Sequence, residues 1–243
     1  GLTRQPVLCF NSSMKTIGLI GGMSWESSVE YYRIVNETVR ERLGGLHSAQ
    51  CLMYSVDFAE VEILQRDGRW DEAAQMMIEA ACRLEWGGAQ CVVLCTNTMH
   101  KCADAMQNAI HIPMLHIADA TAEKIKAQGL HTVGLLGTNF TMEEDFYKGR
   151  LEEKHGLKVL IPPAPEREVV HRVIYDELCL GQINPSSRAQ YAQTIRNLVA
   201  QGAQGIILGC TEIGLLVHAE DSSVPLFDTT RIHAEAAVDW ALA

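Results

Sequence analysis

Gly88-Ala-Gln-Cys-Val-Val-Leu-Cys-Thr-Asn-Thr98 and, 114 positions further on, Gly202-Ala-Gln-Gly-Ile-Ile-Leu-Gly-Cys-Thr-Glu212 are two versions of one pattern. Each opens on Gly-Ala-Gln, continues through a short apolar run and ends in polar residues that include threonine. An apolar run of this length, bounded by glycine and polar residues, predicts a strand buried on both faces. A second pair flanks the first: Lys15-Thr-Ile-Gly-Leu-Ile-Gly-Gly22 matches His131-Thr-Val-Gly-Leu-Leu-Gly-Thr138 at an offset of 116. A third sets Ile112-Pro-Met-Leu-His116, followed by Ala122-Glu123, against Val224-Pro-Leu-Phe-Asp228, followed by Ala234-Glu235, at an offset of 112. Three collinear matches at nearly constant offset identify a duplicated unit.

Each unit begins with an apolar run ending in or near glycine and passes through amphipathic stretches to a second buried run. Strands that alternate with helices in this way form a parallel sheet. Apolar spacing at Val29, Tyr32, Ile34 and Val39 predicts a first helix. Ala73 to Leu84 predicts another, with Met76, Met77, Ala80 and Leu84 facing inward. In the second unit helices are expected near Met142 to His155, Glu168 to Leu180 and Ser186 to Gln201. The fold class is therefore α/β: two pseudo-symmetric, flavodoxin-like parallel-sheet domains with the active site in the cleft between them. Residues 14–116 plus 218–243 are expected to form the first domain and 117–217 the second. Residues 1–13 precede Met14, lack the apolar core and cleavage pattern of a secretory signal, and read as a non-native extension.

A chain of 243 residues with 47% hydrophobic content has ample material for a core. Its formal charge of −10 and pI of about 5.4 oppose a nucleic-acid partner, which requires a basic stripe. Apolar runs such as Val92 to Cys95 and Val133 to Leu136 are far shorter than the roughly 20 residues that span a bilayer, so no membrane association is expected. Six of the eight cysteines sit inside apolar or helical patterns without the spacing of a disulfide framework, and no C-x-x-C pair suggests a metal site. A reducing, cytoplasmic setting is expected, with no metal. Gly18, Gly21 and Gly22 follow G-x-x-G-G rather than the dinucleotide pattern G-x-G-x-x-G. Their tight turn is better suited to presenting backbone N–H groups to a small anion.

In open parallel sheets, ligands sit beyond the carboxyl ends of the strands. Four such loops carry reactive or polar residues: Gly21-Gly-Met-Ser24, Thr96-Asn-Thr98, Gly137-Thr138 and Cys210-Thr-Glu212. The duplication aligns Thr96 with Cys210, so two facing halves would bring these residues to a bound molecule from opposite sides. Inversion at carbon needs that arrangement, one group removing a proton while the other delivers one to the opposite face. A thiol has a reference pKa of about 8.5, and a helix N-terminus is expected to lower that of Cys210. Backbone N–H groups and the hydroxyls of Thr98, Thr138 and Thr211 are suited to a carboxylate. Thr96 is a far weaker acid than a thiol, so the two faces are chemically unequal. His100, one helical turn after Thr96, is open to catalytic and structural readings alike; Cys51, Cys82, Cys91 and Cys102 read as core.

These motifs resemble the aspartate/glutamate racemase superfamily, specifically its aspartate-racemase branch. The similarity runs from Met14 to the C-terminus. It is carried by Ile17-Gly-Leu-Ile-Gly-Gly-Met23, Thr96-Asn-Thr-Met-His100 and Gly209-Cys-Thr-Glu212, with support from Gly137-Thr-Asn-Phe-Thr-Met142 and Pro225-Leu-Phe-Asp228. The resemblance implies two α/β domains, a cleft between them, no cofactor such as pyridoxal phosphate, and two cysteines acting as acid and base. This chain departs from it by placing Thr96 where the first cysteine belongs, with Cys95 one position earlier. A one-residue shift on a strand turns a side chain to the other face, so Cys95 reads as core.

In that family the second-motif cysteine is associated with the L enantiomer, which implies that Cys210 works on an L-amino acid. The family holds the distal carboxylate with basic residues, where this chain offers Gln65 and Arg66 in one region and Glu177 and Cys179 in the other. Gln65 is the preferred contact, since an amide can donate to a carboxylate; Glu177 can instead receive the ammonium or stand as a solvated helix residue. The expected substrate-binding set is Met23, Ser24, Gln65, Asn97, Thr98, Thr138 and Thr211, around catalytic Thr96 and Cys210. The competing functions are maleate isomerisation, hydantoin racemisation, malonate decarboxylation and non-catalytic binding of a small carboxylate. The resemblance also suggests a homodimer.

Overall fold

The computed structural model describes residues 14–243; residues 1–13, read above as an extension, lie outside the described residues. The first half contains β1 (Ile17–Gly21), α1 (Trp25–Leu43), β2 (Cys51–Ser55), α2 (Phe58–Arg66), α3 (Trp70–Trp86) and β3 (Cys91–Leu94). A 3-10 turn at Thr98–Cys102 then leads into α4 (Ala103–Ala109) and β4 (Met114–Leu115). Helix α5 (Ile117–Ala127) crosses to the second half, which opens with β5 (Thr132–Gly137), α6 (Asn139–Glu143), β6 (Lys158–Leu160) and α7 (Ala164–Asp176). It continues with α8 (Pro185–Ala200), β7 (Ile206–Gly209), α9 (Ile213–Leu216), β8 (Leu226–Asp228) and α10 (Thr229–Leu242).

Every strand pair is parallel, and the two four-stranded sheets share one order: β2-β1-β3-β4 and β6-β5-β7-β8. Strands β1, β3 and β7 are buried along their whole length. Helices cover both faces, which is why these strands read as continuous apolar runs rather than alternating ones. Two glycines shape the loops beyond the strand ends. Gly22 has φ +94°, and a Cβ there would lie 2.2 Å from the carbonyl oxygen of Val56. Gly209 abuts β5 so closely that a Cβ would meet the Leu136 carbonyl oxygen at 2.8 Å.

Three expectations are corrected. Strand β8 pairs with β7, and Ile206 N–H donates to Pro225 O at 2.9 Å, so the segment leading through residue 228 belongs with the second sheet rather than the first domain. Only α10 returns to the first half, where Ala234, Ala237, Val238 and Ala241 join Tyr31, Ile34, Val35 and Val39 of α1 in one core cluster. The buried face of α1 is therefore the one that α10 covers, while Val29 and Tyr32 remain 52% and 53% exposed. Finally, the helix expected from Met142 to His155 is split: α6 ends where Glu144 turns extended, and a wide π turn spans Arg150–Lys154. That turn is held by Asp119, which accepts from Arg150, Lys154 and His155. Helix α3 turns Ala73, Met77, Ala80 and Leu84 inward and leaves Met76 partly buried. Among the described residues no helix is long and apolar enough to cross a membrane.

Candidate active site

The loops beyond β1, β3, β5 and β7 converge on one small cavity. Met23, Thr96, Asn97 and Thr98 reach it from the first half, and Thr138, Cys210, Thr211 and Glu212 from the second. Its far wall is made by Phe58 and Gln65 of α2 together with Ile174, Tyr175 and Cys179 on or just after α7. The enclosed space is about 20 Å³, room for roughly one water molecule. A wider groove between α2 and α3, bordered by Glu60, Leu64, Arg69 and Glu79, contains neither a strand-end loop nor a nucleophile.

Glu212 organises the cavity. It is only 2% exposed, and three donors converge on its two oxygens: Ser24 Oγ at 2.6 Å on Oε1, then Thr211 Oγ1 at 2.7 Å and Cys210 Sγ at 3.0 Å on Oε2. Both oxygens of its carboxyl group are thus engaged, one from the first half and one within the second. Three hydrogen bonds cross between the halves here: Ser24 to Glu212, Thr98 to Thr138 at 3.0 Å, and Tyr175 OH to Gln65 Oε1 at 3.1 Å.

The Cys210 thiol is pushed well above its ordinary range, first by burial and then by the Glu212 carboxylate beside it. This reverses the expected lowering by a helix N-terminus. Helix α9 has four residues, too few to build a macrodipole, and the nearest strong charge is negative. Cys210 therefore rests as a thiol whose proton is already directed at a base. Cys95, by contrast, is fully buried within the first-half core and is absent from the cavity wall.

Asn97 is 3% exposed; its Nδ2 donates to Thr229 Oγ1 at 3.1 Å, while its Oδ1 has no partner. A buried acceptor on a cavity wall is suited to a donor brought by a ligand. Gln65 donates from Nε2 to Met99 Sδ at 3.0 Å, a weak acceptor that a carboxylate oxygen can displace. Other expected contacts fall elsewhere. Ser24 is buried but off the wall, because its hydroxyl is committed to Glu212 and to capping α1. Arg66 is largely exposed and paired with Glu62, and Glu177 accepts from Ser187 Oγ at 2.7 Å, so neither lines the cavity. His100 lies behind Thr96 and not on the wall.

Glu212 has no role of its own among the sequence-based expectations, although its place two residues after Cys210 is a usable signal. Tyr175 and Ile174 had no such signal, since a helix face acquires a neighbour across the cleft only in the folded chain.

Twin parallel sheets thus present a thiol from one half and a hydroxyl from the other to a shared cavity. The sequence profile described as Asp/Glu/hydantoin racemase matches residues 20–237, and the chain belongs to that family. It is accordingly an isomerase of the amino-acid racemase type. A structure assigned as an Asp/Glu racemase from Yersinia pestis is 59% identical, with 95% of this chain and 100% of that one covered and a TM-score of 0.89. An aspartate racemase homologue from Pyrococcus horikoshii is 35% identical over 95% of this chain and 100% of that one, with a TM-score of 0.82. The broad specificity amino-acid racemase RacX of Bacillus subtilis is 27% identical over 71% of this chain and 74% of its own length.

Proposed function

We propose that the chain racemises an acidic amino acid, with Cys210 acting on one face of Cα and Thr96 on the other, and with the L enantiomer as the preferred substrate. The observation that carries this reading is the Cys210–Glu212 contact, a thiol with a buried base already attached, in the same cavity as a hydroxyl from the other half. Glu212 takes the Cys210 proton, and the thiolate removes the α-proton of the L-amino acid: the Cα–H bond breaks, an S–H bond forms, and the electron pair moves into the α-carboxylate. The Thr98 and Thr138 hydroxyls stabilise the developing charge, and Asn97 Oδ1 receives the ammonium. Thr96 then donates its proton to the opposite face. Passage of the proton from Glu212 back to Thr96 through water resets the site.

The preference for L applies to α-proton exchange, because a Cys210 thiolate forms far more readily than a Thr96 alkoxide; racemisation itself has equal kcat/KM from the two enantiomers, which have equal free energy. The cavity leaves little free space, so substrate binding requires the halves to part at the Gln65–Tyr175 contact.

A second reading of the substrate rests on one observation: among the described residues, no lysine or arginine lines the cavity. Gln65 and Tyr175 suit an amide or hydroxyl side chain as well as a carboxylate, and the relative from Bacillus subtilis has broad specificity. The test is incubation with L- and D-aspartate, L- and D-glutamate, L-glutamine and L-serine in D₂O, following α-proton loss by NMR and configuration by chiral chromatography. Exchange from L-aspartate or L-glutamate that disappears in Cys210→Ala supports the proposal, whereas exchange confined to the neutral amino acids selects the second reading. No exchange from any of them overturns both, leaving another carboxylate reaction of the family or simple binding.

A further inference from the structure

The loop that carries Thr96 is braced by a residue that does not reach the cavity. His100 is 2% exposed, and its two ring nitrogens meet backbone groups of fixed polarity: Nδ1 lies 2.7 Å from Thr96 O and Nε2 lies 3.2 Å from the Ile117 nitrogen. A carbonyl can only accept and an N–H can only donate, so the ring is neutral and carries its proton on Nδ1. The Ile117 N–H belongs to the first turn of α5, where it has no partner within the helix, and Ile117 and Ala118 pack in the second-half core. His100 thus ties the Thr96 carbonyl of the first half to a helix seated in the second.

The ring is itself boxed in. It packs against His116 and His233, with centroids 4.5 and 5.8 Å away. His116 Nδ1 accepts from Ala118 N–H at 3.2 Å. His233 donates from Nε2 to Leu115 O at 2.8 Å and accepts from Tyr31 OH at 2.9 Å. Because the Thr96 N–H is also engaged, with Leu94 O at 2.9 Å, both peptide groups of Thr96 are held in place.

The duplicated loop on the other side has no counterpart. The offset of 114 that aligns Thr96 with Cys210 places Gly214 at the position of His100, and the offset of 112 that aligns the third repeated pair places Asp228 at that of His116. The brace therefore serves one face of the reaction only. We infer that His100 is a positioning residue for the Thr96 half of the racemisation, aiming the Thr96 hydroxyl through its carbonyl, and that it carries no proton to or from the substrate. This rests on the reading of Thr96 proposed above.

Two substitutions separate the nitrogens. In His100→Asn the side-chain amide can replace Nδ1 as the donor to Thr96 O, and in His100→Gln the amide oxygen can replace Nε2 as the acceptor from Ile117. With an L substrate in D₂O, exchange with retention reports Cys210 and inversion reports delivery at the Thr96 face. His100→Gln is expected to lower the ratio of inversion to retained exchange about tenfold or more, since displacements of about 1 Å carry penalties up to about 100-fold, and His100→Asn is expected to rescue the ratio. If the two variants lose inversion equally, or if retained exchange falls in step with inversion, the inference is overturned.

Thr96→Ala is the control for the underlying reading. Unchanged inversion in that variant rejects the role of Thr96, whatever the His100 variants do. Should neither His100 variant fold, ¹⁵N NMR of the wild-type imidazole decides. A neutral ring protonated on Nδ1 and unchanged from pH 8 to 5 is expected, while an Nε2–H tautomer or titration in that range overturns the inference.

Discussion

Glu212 determines how the thiol beside it can act. A cysteine that must take a proton from carbon needs to be an anion, yet the adjacent carboxylate and burial hold Cys210 in its protonated form. In the proposed mechanism Glu212 is the acceptor, and the 3.0 Å contact gives the proton a short path that costs no separation of charge into solvent. Glu212→Gln is therefore expected to move two observables in opposite directions. Racemisation should fall by about 10²–10⁴-fold, while alkylation of Cys210 by iodoacetamide at pH 8 should become faster, because removing the negative charge lowers the thiol pKa. Slower alkylation in this variant would show that Glu212 activates the thiol at rest instead. The far end of the cavity supports a separate expectation. Gln65→Leu should raise KM for aspartate by roughly 10- to 100-fold, corresponding to about 1.5–3 kcal/mol for a hydrogen bond to a charged group, with thermal stability as the control for folding. Thr96 and Cys210 were legible in the chain as aligned positions of one repeated motif, whereas the direction of the thiol pKa was not, because it depends on where a carboxylate packs.

Strands and the turns that leave them were the most readable elements. Period-two geometry was enough to separate Cys95 from Thr96, one side chain turned into the core and the next into the cavity. The turn after β1 depends on Gly22, whose positive φ and crowding by the Val56 carbonyl leave no room for a side chain. Gly22→Ala is expected to destabilise the chain by about 2–3 kcal/mol, read as a lower urea midpoint with an unchanged slope. A midpoint equal to wild type would mean that the loop relaxes at no cost. Helix faces were less readable. Apolar residues run around much of α1, and only the position of α10 decides that Tyr31, Ile34 and Val35 turn inward while Val29 and Tyr32 face solvent.

Taken as a whole, the molecule joins its halves through α5 and α10, and three clustered histidines, His100, His116 and His233, stand at that junction. Burial pushes all three below the ordinary imidazole range, His116 to about 3 and His233 to about 4, with neighbouring imidazoles adding to the effect on His100. The unfolded chain takes up these protons near pH 6.5, which the folded chain refuses. Stability is therefore complete above pH 6.5 and declines as the pH falls toward the folded values. The expected loss is about 1.4 kcal/mol per pH unit for each imidazole. Urea unfolding at pH 7.5, 6.0 and 5.0 measures this directly, in a window above most carboxylate titrations, and a flat profile would contradict the burial of neutral rings.

The sequence by itself determined the duplication, the two parallel sheets and the pairing of Thr96 with Cys210. Each of these is written in local patterns: apolar runs, strand-end motifs and a constant offset between repeats. Only the tertiary structure decided that Ser24 reaches Glu212 across 188 positions, that Gln65 meets Tyr175 across 110, and that β8 completes the second sheet while α10 returns to the first half. The physical reason is the same in each case. Hydrogen bonds, electrostatic shifts and edge pairing act over a few ångströms in space, and residues so far apart in the chain acquire that proximity only when the two halves pack together.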